Sequence, residues 1–429
     1  MKITSKITLA LLALGLVSSA SADNVVYLTG STAFRGVVFN TLSDNSGGAG
    51  SVFDAGTMTR ATRGSANPAS ANYMLFHGTI GGTATYIDCV WSGSEAGIAS
   101  ASDVTLQNTD RNGNPIPLAG SPAQWLVPSS TTVSMTDSSA NPTTSELEPT
   151  THGADLAQAD TSQAVSLTPY VAGTSTALKD YGQEGVVTFT WAKNYNTAPN
   201  PAWTRLTNIT MAQANVQLGY PQLAAFFTGN PADTNRVYTI GRNKGSGTRA
   251  NTLSYSGYGT TTSVQQFSIG YGVQPGETQN TTLLLQSEGN NGYESGGGVA
   301  KALGIDGSCN QADPLLPGTT GWIAIGYLGV GDALTAPLTT ANFLTESGVM
   351  ESDGAIEEGQ YAFWGHEHLF GKAGISGYQD TVGSLLFSAV QAQLTSSGAG
   401  ANPAAHSSGI ALSYMHCDKA TDVSYPVRF

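Results

Sequence analysis

Val237-Tyr238-Thr239-Ile240 runs without interruption into Gly241-Arg242-Asn243-Lys244-Gly245-Ser246-Gly247-Thr248-Arg249. The first four residues are β-branched or aromatic and read as a strand. A glycine ends it, and the Gly-Ser-Gly-Thr turn opens a predicted helix through about Tyr255. Strand, glycine turn and helix together are the building unit of α/β folds. In open α/β sheets such loops lie at the carboxyl ends of strands, where ligands bind. Glycine lets backbone approach a ligand closely, and a helix start adds free N–H groups and a positive dipole end. Both favour an anion. Arg242 adds a cation that can grip an oxyanion with two parallel bonds. Ser246, Gly247 and Thr248 add hydroxyl and backbone donors. The nucleotide signature G-x-x-x-x-G-K-[ST] is absent. These residues alone are equally read as an ordinary Gly-rich turn with Arg242 in a surface ion pair.

Three earlier segments share the design. Val25 to Leu28 is a predicted strand, followed by Gly30-Ser31-Thr32-Ala33-Phe34. Phe34, Val37, Val38 and Leu42 then recur at helical spacing, with Ser31 or Thr32 as N-cap. Tyr73–Ile80 and Thr83–Trp91 flank Gly81-Gly82 and predict a hairpin. Ser92-Gly93-Ser94-Glu95-Ala96-Gly97-Ile98 follows its second strand. Finally, Ala159-Asp160-Thr161-Ser162 sits in a compact stretch from Gly153 to Ala164. Each of these alone also reads as a capped helix start or a turn.

Further strands are expected over 185–191, 322–330 and 355–369, and helices after Leu206–Thr210 to about Phe227 and over 378–394. Residues 43–70 read as loop. Residues 99–152, rich in Ser, Thr, Asn and Pro, read as a surface insertion. The alternation predicts an α/β class with a parallel or mixed sheet.

The 429 residues suffice for two or three domains, and 40% hydrophobic residues suffice for a core. Charged residues are only 11%, against about 25% in an average chain. Net charge is −13 and no Lys/Arg stripe appears, which argues against nucleic acid as a partner. A bound anion must therefore be held by a few placed groups.

Lys2 and Lys6, the apolar run Ile7–Val17 and Ala20-Ser21-Ala22 form a signal-peptide pattern over residues 1–22. No other apolar run reaches about 18 residues, so no membrane span is expected. The protein is expected to be periplasmic or secreted. Cys89, Cys309 and Cys417 permit at most one disulfide, and Cys309–Cys417 is the candidate pair. No histidine sits in a G-x-S-x-G or H-E-x-x-H setting. His366 and His368 are two apart on a predicted strand, with no third metal ligand in view. No catalytic residue, metal or cofactor is therefore expected.

Taken in order, the four loops resemble those of the phosphate-binding proteins of bacterial ABC importers, a type 2 periplasmic-binding-protein-like family. Thr319–Ala333 and Ile356–Trp364 resemble that family's later strand and return segment. The resemblance implies two α/β lobes joined by two crossings, with the ligand in the cleft between them. Residues 23–190 and 358–429 would form lobe 1, and 191–357 lobe 2. It also implies inorganic phosphate as ligand, an ABC permease as partner, and a monomer. The implied contacts are Thr32, Ala33 and Phe34 from the first loop, Ser94 from the second and Asp160 from the third. Arg242, Ser246, Gly247 and Thr248 come from the fourth. Asp160 would accept the O–H of phosphate, which sulfate lacks. Two residues depart from the pattern, Lys244 and Glu95, and an ion pair between them would offset both. A secreted surface or matrix protein reusing the fold is the competing class, suited by the low charge and the insertion.

Overall fold

A computed structural model describes residues 23–63, 67–109, 115–117, 125–126, 147–148, 153–168, 177–270, 284–305, 313, 315, 321–397, 409–422 and 424–429. The leader 1–22, Cys309 and most of the 99–152 insertion lie outside the described residues.

The mixed α/β class expected from sequence is the observed one. Twelve strands form the main sheet: β1 (Asn24–Gly30), β2 (Thr59–Arg63), β3 (Tyr73–Ile80), β4 (Thr83–Val90), β5 (Leu156–Ala159), β6 (Lys179–Lys193), β7 (Gln222–Leu223), β8 (Arg236–Ile240), β9 (Gln266–Gly270), β10 (Leu284–Gly289), β11 (Trp322–Gly329) and β12 (Trp364–Gly371). Their order is β10-β9-β8-β11-β6-β12-β5-β1-β4-β3-β2, with β7 beside β8. The principal helices are α1 (Arg35–Ser43), α2 (Ser94–Ala101), α3 (Met211–Gly219), α4 (Gly247–Tyr255), α5 (Gly296–Leu303) and α6 (Gly377–Ser397).

Strand β6 organises the sheet. Its first part, to Thr188, pairs antiparallel with β12, and from Phe189 onward it pairs antiparallel with β11. One half-sheet (β12, β5, β1, β4, β3, β2) is thus offset along β6 from the other (β11, β8, β9, β10). Aromatic rings pack where the halves meet. Trp191 lies 5.4 Å from Tyr327 and 6.5 Å from Phe363, and Tyr255 stacks on Phe363 at 5.7 Å.

Several expectations need correction. The helix expected after Thr210 starts there but does not run on to Phe227. Thr210 and Gln213 form a capping box that starts α3, and α3 stops at Gly219. Tyr220 precedes Pro221, which disfavours helical backbone, so the chain turns extended before Ala225–Thr228 coils again. Residues 355–369 begin helically, because Ser352 caps Asp353–Glu357, and only Trp364 onward is strand. The loop expected over 43–70 holds β2, which pairs with β3 at the sheet edge. The insertion is not wholly superficial: Trp125 and Leu126 are fully buried, and Trp125 packs 4.8 Å from Tyr27. Cys417 is a free thiol, buried and donating to the Ile356 carbonyl at 3.3 Å, so it is not disulfide-bonded to Cys309.

Candidate functional site

Strands β1, β4 and β5 are mutually parallel or share a parallel neighbour, so their carboxyl ends lie side by side. Tracing the register through β12, β6 and β11 shows that these ends point toward the Thr188/Phe189 boundary of β6. The carboxyl end of β8 points toward the same boundary from the other half-sheet. All four loops singled out in sequence therefore meet. The Gly245 carbonyl accepts from the Ala96 N–H at 3.2 Å, which ties the fourth loop to the start of α2.

Two glycines make this contact close. Gly93 has φ +107°, and a Cβ there would lie 2.3 Å from the Gly245 carbonyl oxygen. A Cβ on Gly247 would fall 1.6 Å from Asp160 Oδ1 and 2.6 Å from Ser94 Oγ. Only glycine allows the first turn of α4 to lie on the Asp160 carboxylate.

Asp160 is fully buried and well held. Ser94 Oγ donates to its Oδ1 at 2.6 Å and accepts from its N–H at 3.2 Å. Thr248 Oγ1 lies 3.5 Å from Oδ2, and Asn251 Nδ2 donates to the Asp160 carbonyl at 2.6 Å. Burial pushes the Asp160 carboxyl up to about 6, against the opposing pull of the Ser94 hydroxyl and the Arg242 charge.

Arg242 is 1% exposed and makes no ion pair among the described residues, so the surface-pair reading fails. Its Nη2 donates to the Glu294 carbonyl at 2.9 Å and to Thr32 Oγ1 at 3.3 Å, and its Nε to the Tyr293 carbonyl at 3.3 Å. Burial lowers its affinity for its proton, and the carboxylates of Asp332 and Asp160 restore part of it. The loop is braced from below by residues that motif reading did not single out. Arg249 Nη1 donates to the carbonyls of Arg242 and Asn290, Gln266 Nε2 donates to the Arg242 carbonyl, and Tyr327 donates to Gln266 Oε1. Arg249 was visible only as the residue ending the quoted motif. The others lie on distant strands and left no local signal.

The remaining predicted residues divide. Ser246 uses its hydroxyl to cap α4, accepting from the Arg249 N–H at 3.2 Å. Phe34 buries its ring in the core, and as N-cap of α1 it makes no side-chain cap bond. Gly93, the N-cap of α2, makes none either. Among the described residues, the backbone N–H groups of Thr32, Ala33, Gly247 and Thr248 make no hydrogen bond. Three of these residues are buried, and Ala33 is half-buried. Buried N–H groups are nearly always paired, so four unpaired donors on two loops that meet at a buried arginine are chemically suited to an acceptor-rich ligand.

The expected Glu95–Lys244 pair is not formed. Glu95 is buried and accepts from Thr161 Oγ1 at 3.1 Å and from the Leu167 N–H at 2.5 Å. Burial pushes its carboxyl up to about 8, so at neutral pH it is mostly uncharged and needs no cation. His366 faces Asp418 at 3.1 Å and His368 faces Asp180 at 3.4 Å, and no metal-binding group is found among the described residues.

No family model matches the chain, and no curated protein matches it. Among solved structures, one from Clostridium perfringens with bound phosphate, described as a phosphate ABC transporter substrate-binding protein, is 13% identical with a TM-score of 0.39, over 87% of this chain and 97% of its own. An ABC-type phosphate transport receptor from Vibrio cholerae is 11% identical with a TM-score of 0.38, over 87% and 98%. Values this low transfer neither a ligand nor a residue role.

Proposed function

We propose that this protein is an exported binding protein that captures inorganic phosphate, or a similar tetrahedral oxyanion, and hands it to an ABC permease. The two half-sheets are its two lobes, with the division expected near residues 190 and 358 and the ligand between them. The chain acts as a monomer and binds without turning its ligand over. The observation that carries this reading is that four unpaired backbone N–H groups lie on the two loops that meet at Arg242, one of which packs on the Asp160 carboxylate. Thr32, Ala33, Gly247 and Thr248 donate backbone N–H bonds to the anion. Thr32, Ser246 and Thr248 supply hydroxyls, Ser94 holds the Asp160 carboxylate toward the ligand, Phe34 fixes the start of α1, and Arg242 supplies the charge. Asp160 accepts the proton that phosphate still carries near neutral pH. The signal-peptide pattern supports export, and no helix among the described residues is long and apolar enough to cross a membrane.

Calorimetry on the mature chain with phosphate and with sulfate tests this. Tight phosphate binding with at least tenfold weaker sulfate binding is expected, because a buried unpaired acceptor costs about 1–3 kcal/mol. Binding of neither anion would refute the reading and favour a surface protein that reuses the fold.

A further inference from the structure

A cavity of about 390 Å³ lies beside the candidate anion site. At about 30 Å³ per water it has room for roughly a dozen waters, far more than one tetrahedral anion displaces. It falls at the lower end of the roughly 300–1,000 Å³ typical of small-molecule sites. Thr32 belongs to both spaces: it lines the cavity, and its Oγ1 accepts from Arg242. Asp332 also lines the cavity, and its charge acts on both Arg35 and Arg242. The cavity therefore opens next to the anion-binding groups.

Its walls are polar in a particular way. Arg35 is 8% exposed, and its Nη1 is fixed by Asn72 Oδ1 at 2.7 Å. Asn40, Ser70 and Thr335 add amide and hydroxyl groups, and Asp332 adds an acceptor. An arginine and an aspartate facing one space suit a neutral arm with several hydroxyls, which can both donate and accept. An alkyl arm would leave these groups unpaired.

Building on the phosphate-capture reading, we infer that the ligand is a phosphate monoester of a small polyol. Its phosphoryl group sits among Thr32, Asp160 and the Arg242–Thr248 loop, and its hydroxylated arm lies in the cavity between Arg35 and Asp332.

The test is calorimetry on the mature chain at pH 6, where a monoester still carries an acidic O–H for Asp160. The probes are inorganic phosphate, glycerol 3-phosphate and butyl phosphate. The expected result is glycerol 3-phosphate at least tenfold tighter than either of the others. Ser70→Tyr fills the cavity from outside the phosphate loops. It should erase the preference while leaving inorganic phosphate within about twofold. Thr335→Phe does the same from another segment if the first variant does not fold. Glycerol 3-phosphate binding no more tightly than inorganic phosphate would overturn the inference and leave phosphate capture standing. Butyl phosphate binding as tightly as glycerol 3-phosphate would also overturn it. Binding of none of the three would overturn phosphate capture itself, and this inference with it.

Discussion

Arg242 brings a permanent positive charge to the candidate site and bonds directly to a second loop, through Thr32. Hydrogen bonds to a charged group are worth about 1.5–3 kcal/mol each, so Arg242→Ala should weaken phosphate binding by roughly a hundredfold or more. Arg242→Lys should rescue poorly, because an ammonium cannot reproduce the fork. On the proposed reading, Asp160 sets the choice of anion. Its carboxyl is pushed up to about 6, so above that pH it only accepts, and below it carries a proton it can donate. Sulfate does not titrate near neutral pH, so its affinity should rise as pH falls through about 6, and Asp160→Asn should abolish that rise. Titration calorimetry across pH 5–8 reads both. Glu95 acts on stability instead. Its folded pKa of about 8 exceeds the unfolded value of 4.5, so the folded state binds more protons and this group's contribution weakens as pH rises between them. Glu95→Gln should therefore gain on wild type by up to about 1.4 kcal/mol per pH unit across that window. Denaturant melts at several pH values measure the difference, and a constant difference would place the Glu95 carboxyl in its ordinary range.

At the scale of elements, the site is made by helix starts brought close together. The N-termini of α2 and α4 border Asp160 through Ser94 and Gly247, and the loop before α1 reaches Arg242 through Thr32. Helices α1 and α2 start without a side-chain cap, and α4 is capped by Ser246. Their approach depends on two residues having no side chain. Gly247→Ala would place a methyl group 1.6 Å from Asp160 Oδ1, so phosphate binding should be lost while much of the fold survives. Gly93→Ala adds strain at φ +107° to a clash with the Gly245 carbonyl. It should lower the melting temperature as well as the affinity, which thermal melts with and without phosphate would separate. The element pattern itself was partly legible. The strand–Gly–helix units announced themselves through β-branched runs, glycine turns and helical spacing. Strand β5 was not foreseen as a strand, because its four residues, Leu-Ala-Gln-Ala, carry no strand signature. Its place between β12 and β1, buried throughout, makes it one.

The whole molecule is two half-sheets that share β6 and meet at a polar site. An anion bound between them contacts both and so should stabilise the chain as a unit. At a hundredfold excess over Kd the gain is about 2.7 kcal/mol by mass action. Thermal melts should show the midpoint rising with phosphate concentration in wild type and staying fixed in Arg242→Ala. A rise of equal size in both would mean that phosphate binds elsewhere.

By itself the sequence determined the class of fold and the four loops, because both rest on local chemistry. A β-branched run, a glycine and a helix-starting serine or threonine act within about ten residues of one another. It also marked Arg242 and Asp160 as candidates without deciding either, since each had a surface reading. Only the tertiary structure decided that. The antiparallel pairing of β6 with both half-sheets turns two sets of strand ends toward one boundary, which removes Arg242 and Asp160 from water. It likewise decided that Glu95 loses its charge by burial instead of pairing with Lys244. Burial and register depend on residues fifty or more positions apart, and no local pattern encodes them.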